Sequence, residues 1–227
     1  MPISELTATL QHKEYWTSDV MYLSFQVADT FTFQAGQFVI FTIPCEGKQR
    51  PKSYSILNPP TERGKIDLCV KIIPGGIASE AFKAAHPGDT FRVKGPFGHF
   101  VFDAKAEEHW FLGAGTGVAP LYSMIKEYLP RYPHKKFTLL FGVRHKQNLF
   151  LHQELQELTT YPHFTYIPTL SQDTWEGHMG RVQKHLPENL NNKTFYICGL
   201  KELVLETKAL LEEKGVDPQK IRFERYN

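Results

Sequence analysis

Along the first hundred residues, apolar and polar positions alternate in short runs broken by turn residues. The clearest run is Met21-Tyr22-Leu23-Ser24-Phe25-Gln26-Val27, whose period of two predicts a strand with Met21, Leu23, Phe25 and Val27 on one face. A denser apolar stretch occupies residues 38–43, and further strands are predicted at residues 53–57, 66–73 and 90–93. Turns rich in Gly, Pro and Asn separate them, and a single short helix is predicted from Ser79. Short, regularly spaced strands with so little helix predict an antiparallel β-barrel.

Beyond Phe102 the period changes. Strands at residues 109–113, 137–142, 164–169, 194–198 and 221–224 alternate with helices from Val118, near residues 149–158, near Val182, and over residues 201–214 with Gly215 as the stop. Strand–helix alternation implies right-handed crossovers and an open parallel sheet. The expected fold class is therefore a two-domain α+β protein, an antiparallel β-barrel over residues 1–104 followed by an α/β open parallel-sheet domain over residues 105–227. A chain of 227 residues accommodates two modest domains.

Composition narrows the function classes. Hydrophobic residues make up 41% of the chain, enough for a core in each half. Lys plus Arg number 26 against 24 Asp plus Glu, a formal charge of +2, so no chain-wide footprint for nucleic acid is expected. The opening residues carry neither a basic-then-apolar leader nor a run near ~18 apolar residues, and the reading is a cytoplasmic protein without membrane insertion. Cys45, Cys69 and Cys198 are too few and too scattered for a four-thiolate iron–sulfur cluster or a C-x-x-C site, and no H-E-x-x-H occurs, so no metal is expected.

Three strings carry chemistry. Gly113-Ala114-Gly115-Thr116-Gly117-Val118-Ala119-Pro120 follows an apolar strand and opens a helix, so bare amides and the positive helix end could face a pyrophosphate. The third glycine of G-x-G-x-x-G would fall on Val118, and the next strand ends Phe141-Gly142-Val143-Arg144 with no acid for a ribose. Alone, the string is also what a tight strand-to-helix turn uses. Gly75-Gly76-Ile77-Ala78-Ser79 is a second helix start suited to an anion, and alone is also an ordinary cap. Arg50-Pro51-Lys52-Ser53-Tyr54-Ser55-Ile56 puts Lys52 and Tyr54 on one strand face and Ser53 and Ser55 on the other, a pattern open both to a phosphorylated flat ligand and to a solvated edge strand.

Together, in this order, the strings resemble the ferredoxin-NADP reductase superfamily along essentially the whole chain. The resemblance implies an FAD-binding barrel and a nicotinamide-dinucleotide domain, hence an FAD-dependent NAD(P)H oxidoreductase. It implies that Arg50, Lys52, Ser53 and Ile56 belong to the FAD site, with Arg50 reaching the pyrophosphate in place of the family's Arg at Lys52, that Tyr54 packs on the isoalloxazine, and that Ser55 reaches flavin N5. It places Val70, Lys71 and Ile72 along the ribityl and adenine portions, and residues 75–79 at the pyrophosphate. In the second domain it implies that Gly115, Thr116 and Gly117 hold the nicotinamide dinucleotide, that Cys198, Gly199 and Leu200 seat the nicotinamide, that Glu224 relays protons and that Tyr226 covers the flavin. Four departures stand out: Lys52 for the family's Arg, Leu200 for Pro, Asn227 after the last tyrosine, and Ser171-Gln172 where NADPH-selective members carry Ser-Arg. The last favours NADH over NADPH, although Arg144, His145 and Lys146 offer positive charge nearby.

The acceptor implied is a separate ferredoxin, flavodoxin or oxygenase component, or a small molecule such as a quinone, with Lys52, Lys71 and Lys94 as candidate contacts for an acidic partner. Two alternatives stay open: a flavin reductase that releases flavin as a substrate, and a non-catalytic nucleotide-binding regulatory subunit.

Overall fold

A computed structural model describes residues 2–45 and 47–226; Asn227 lies outside the described residues. The chain forms two compact units, Met1–Val101 with Tyr122–Glu127, and Phe102–Leu121 with Tyr128–Asn227.

In the first unit, β1 (Ser4–Thr17), β2 (Val20–Gln26), β3 (Phe38–Cys45), β4 (Lys48–Ser55), β5 (Lys65–Lys71) and β6 (Thr90–Phe97) form one antiparallel sheet in the order β4-β3-β6-β1-β2-β5. Its outermost strands approach each other. Just past β4 the Leu57 amide donates to the Asp67 carbonyl of β5 at 2.9 Å, and the Asp67 amide donates to Asn58 Oδ1 at 2.8 Å, so the sheet curls round its core. Met21, Leu23 and Phe25 of β2 and Val39, Phe41 and Ile43 of β3 point inward. The helix α1 (Ile77–Ala84) contributes Phe82, whose ring centroid lies 5.7 Å from Phe41 and 5.3 Å from Phe91.

Two expectations change here. The strand β1 escapes its sequence pattern because Leu6, Ala8 and Leu10 alternate inward only over its first half; register shifts at Leu10/His12 and Tyr15/Thr17 then break the period. The helix begins at Ile77, not Ser79. Gly76, in an extended conformation, takes the cap, and Ser79 sits inside the first turn.

In the second unit, β7 (Glu108–Ala114), β8 (Lys136–Val143), β9 (Phe164–Leu170), β10 (His178–Met179), β11 (Lys193–Leu200) and β12 (Ile221–Tyr226) are all parallel, in the order β10-β9-β8-β7-β11-β12. The helices α2 (Val118–Tyr128), α3 (His152–Glu157) and α4 (Lys201–Glu213) belong to the crossovers. Continuous apolar strands such as Leu139-Leu140-Phe141 are buried on both faces, as a helix-covered parallel sheet requires. The predicted helix near Val182 is a 3-10 turn (Val182–His185), and the two-residue strand β10 left no sequence pattern to read. No helix among the described residues is long and apolar enough to cross a membrane.

Candidate nucleotide sites

The parallel sheet reverses its strand order at β7, where β8 lies on one side and β11 on the other. Ligands of open α/β sheets bind beyond the carboxyl ends of the strands at such a switch point. Gly113 of β7 pairs with Cys198 of β11 there, so two of the sequence-predicted strings share one strand end. The turn Gly115–Gly117 leaves β7 and leads into α2, with Gly115 at φ +53. Gly117 lies against the other string: a Cβ on it would stand 2.7 Å from the Cys198 carbonyl carbon and 2.7 Å from Gly199 Cα.

Cys198 is fully buried. Burial and the Glu224 carboxylate push its thiol well above the usual range, and hydrogen bonds with the Tyr226 hydroxyl and the Gly199 backbone only partly oppose them. At neutral pH it is a neutral thiol, unsuited to nucleophilic attack. Register explains the company, since Cys198 pairs with Glu224 and Leu200 with Tyr226 across β11 and β12. Leu200 is 60% exposed and holds φ −64, an angle a proline ring would also hold.

At the carboxyl ends of β8 and β9 the Ser171 amide donates to the Val143 carbonyl at 3.0 Å and the Gln172 amide to the Arg144 carbonyl at 2.9 Å. The Arg144 side chain is exposed. His145 and Lys146 are already engaged: His145 Nδ1 lies 2.7 Å from Asp173 Oδ1, the Lys146 amide donates to Asp173 Oδ2 at 2.7 Å, and Lys146 Nζ lies 3.3 Å from Glu176. Sequence reasoning passed over Asp173, which stands 28 residues from its partner His145 and meets it only through the β8–β9 register.

In the first unit, Lys52 and Tyr54 pair with Phe41 and Val39, and Ser53 and Ser55 with Ile40 and Phe38, so the two faces alternate as the sequence implies. Arg50, Lys52 and Ser53 are exposed, Ser55 and Ile56 buried. Tyr54 is half-buried, with its ring 5.5 Å from Phe82 and 5.9 Å from Phe41, and burial pushes its phenol upward. Val70 and Ile72 point into the core, while Lys71 points out and pairs with Asp19. Of the lysines considered for an acidic partner, Lys71 is thus ion-paired and Lys94 Nζ lies 3.4 Å from Glu5.

The start of α1 has no side-chain cap. Gly75 adopts φ +69, Gly76 makes no side-chain cap, and a Cβ at Gly76 would meet the Ile73 carbonyl at 2.9 Å. Ser79 Oγ is turned back to accept the Ile73 amide at 2.9 Å, which shapes the turn and leaves the first amides of the helix without a capping side chain. That arrangement fits the pyrophosphate of a dinucleotide. At the other end of α1, Lys13 Nζ donates to the carbonyls of Lys83 at 2.7 Å and Ala85 at 2.6 Å, a cap without any local sequence signature because the partners lie some 70 residues away.

A curled antiparallel sheet with a bare helix start is thus followed by a parallel sheet with a glycine turn at its switch point. Residues 7–102 match the oxidoreductase FAD-binding domain and residues 111–208 the oxidoreductase NAD-binding domain. Ferredoxin--NADP reductase B of Sorangium cellulosum is 34% identical over 224 residues, covering 92% of each chain. The reductase component of phenol 2-monooxygenase from Pseudomonas sp. (strain CF600) is 29% identical across 86% of this chain, which spans 58% of that relative. A solved Amycolatopsis cytochrome P450 reductase superposes with a TM-score of 0.90 at 26% identity, over 99% of this chain and 70% of that one. The chain belongs to the ferredoxin-NADP reductase superfamily, and it is an FAD-dependent NAD(P)H oxidoreductase.

Proposed function

We propose that the chain takes a hydride from NADH or NADPH and passes electrons to a separate redox partner, a ferredoxin, flavodoxin or oxygenase component. The observation that carries this reading is the close packing of Gly117 on the Cys198–Gly199 backbone at the switch point, a bare-backbone cradle beside a neutral thiol. Bound FAD supplies the carrier that accepts hydride and releases electrons. The residues of this chain supply binding and orientation. Residues 75–79 and the cations Arg50 and Lys52 hold the FAD phosphates, Tyr54 packs on the ring system, and the Ser55 hydroxyl hydrogen-bonds at flavin N5. Gly115, Thr116 and Gly117 hold the nicotinamide dinucleotide, Cys198 seats its nicotinamide, and the Glu224 carboxylate moves a proton. Of the lysines considered for an acidic partner, Lys71 is paired with Asp19 and Lys94 with Glu5.

Stopped-flow mixing of Ser55→Ala with NADH tests the role of the hydroxyl. A slower flavin reduction with FAD still bound supports it; an unchanged rate removes Ser55 from the mechanism. Mixing the reduced protein with a ferredoxin, a flavodoxin and a quinone in turn identifies the acceptor class. Fast reoxidation by the quinone and slow reoxidation by both proteins would contradict a protein partner.

A further inference from the structure

The candidate nucleotide site lies at the carboxyl ends of the parallel strands, and a second concavity opens at their amino ends. A cavity of about 470 Å³ lies between the turn that enters β11 and the turn that joins α4 to β12. That volume falls in the range of small-molecule sites, about 300–1,000 Å³. Because β11 runs eight residues from Lys193 to Leu200, its two ends stand about 23 Å apart at about 3.3 Å per residue. The cavity shares no lining residue with the glycine turn or with Cys198. Leu190 and Val216, both buried in the core of this unit, give it apolar surface. Both turns are held by their own backbone. The Asn191 amide donates to Asn189 Oδ1 at 2.9 Å, and Asn192 holds φ +59. The amides of Lys214, Gly215 and Val216 donate to the carbonyls of Leu210, Glu212 and Leu211 at 3.1, 2.9 and 3.0 Å, so the last carbonyls of α4 are engaged and not turned on a ligand. A Cβ on Gly215 would meet nothing within 4 Å, as expected where the chain borders open space.

We propose that this cavity is a binding site for a small phosphate-bearing anion, separate from the nucleotide site. Three cations line it, Lys193, Lys214 and Lys220, against one acid, Asp217, which already accepts the Gln219 amide at 2.9 Å. Lys193 is buried and anchored, its Nζ 3.3 Å from Glu108 Oε1 and donating to the Asn191 carbonyl at 3.5 Å. Lys214 and Lys220 form no ion pair among the described residues, and theirs are the charges an anion would meet. No arginine lines the cavity among the described residues, so the planar fork that matches a carboxylate is missing, whereas ammonium groups act on phosphate as point charges. Turns already fixed by their own hydrogen bonds need little ordering when the ligand enters.

The test titrates the FAD-loaded full chain with inorganic phosphate, with pyrophosphate and with citrate at fixed ionic strength, following backbone amide shifts by NMR. The expected result is a saturable response to pyrophosphate at the amides of residues 190–193 and 214–220, a weaker one to phosphate and the weakest to citrate. The double variant Lys214→Gln/Lys220→Gln should weaken pyrophosphate binding by about ten-fold or more, because it removes both unpaired charges. Lys48→Gln, an exposed lysine of the other unit, should leave binding unchanged, and the double variant should be reduced by NADH at the wild-type rate. Lys214→Gln alone, at an exposed position, is the second variant should the double one fold poorly, and it should weaken binding in the same direction. Shifts at these amides that do not saturate, or an affinity that neither variant changes, overturn the proposal. Citrate binding as tightly as pyrophosphate overturns the phosphate class. Pyrophosphate shifts confined to Gly115–Gly117, or flavin reduction lost together with pyrophosphate binding, would put the anion at the nucleotide site and overturn a separate one.

Discussion

Gly117 stands so close to Cys198 that no side chain fits between them: a Cβ would lie 2.7 Å from the Cys198 carbonyl carbon. The obstruction is backbone, which cannot swing aside, so Gly117→Ala must open the glycine turn away from β11. Overpacking of this kind costs about 1–3 kcal/mol. The variant should melt lower, keep its FAD, and lose at least about ten-fold in the rate of flavin reduction by NADH, equivalent to about 1.4 kcal/mol. Normal reduction kinetics in Gly117→Ala would show that the turn takes no part in holding the nucleotide.

Lys13 ties β1 to the carboxyl end of α1 through the Lys83 and Ala85 carbonyls. Hydrogen bonds from a charged donor contribute about 1.5–3 kcal/mol, and a cation at a helix carboxyl end complements its dipole. Lys13→Met should lower stability by about 1–3 kcal/mol in urea titrations and loosen FAD on dialysis, because α1 presents its other end to the pyrophosphate. Lys13→Arg should recover both in part. Equal loss in the Arg variant would mean that packing, not the cap, matters.

His109 is fully buried, stacked on Phe102 with ring centroids 4.3 Å apart, and its ring nitrogens lie 3.1 Å from the Ala106 carbonyl and 3.3 Å from the Tyr196 hydroxyl. Burial lowers its pKa from 6.5 to about 4, with the Lys135 ammonium adding to the effect. A depressed histidine is neutral in the folded protein while the unfolded chain takes up a proton. Its contribution is therefore complete above about pH 6.5 and is lost as pH falls toward about 4, with a slope near 1.4 kcal/mol per pH unit. Urea titrations across this window should show that slope, and His109→Phe should flatten it even if its absolute stability is lower. An equally steep fall in the variant would assign the acid sensitivity elsewhere.

Of the three cysteines, Cys69 and Cys198 are buried and their thiols are pushed upward by burial, whereas Cys45 is half-exposed. Iodoacetamide on the native protein at neutral pH should label Cys45 and spare the other two until denaturant is added. Labelling of Cys198 in the folded state would contradict its seat beneath Glu224 and Tyr226.

What the sequence disclosed depended on how local each signal was. The alternation of Met21 to Val27, the apolar core of β8 and the stop at Gly215 are set within a few residues, and each element lies within a few residues of where its pattern predicts. The strand β1 was illegible because bulges break its period, and the start of β4 because Lys48 and Gln49 carry no apolar residue to read. The glycine strings were legible as backbone requirements. The link between Gly117 and Cys198, the cap from Lys13 and the reach of Asp173 to His145 depend on register between distant strands, which no local pattern encodes.

The central claim is that this chain accepts reducing equivalents from a nicotinamide nucleotide onto bound FAD. Anaerobic titration of the purified, FAD-loaded protein with NADH and with NADPH, followed by the flavin absorbance, tests it most directly. The account predicts stoichiometric bleaching of the flavin, faster with NADH. Retention of the oxidised flavin spectrum with both nucleotides, FAD remaining bound, would contradict it.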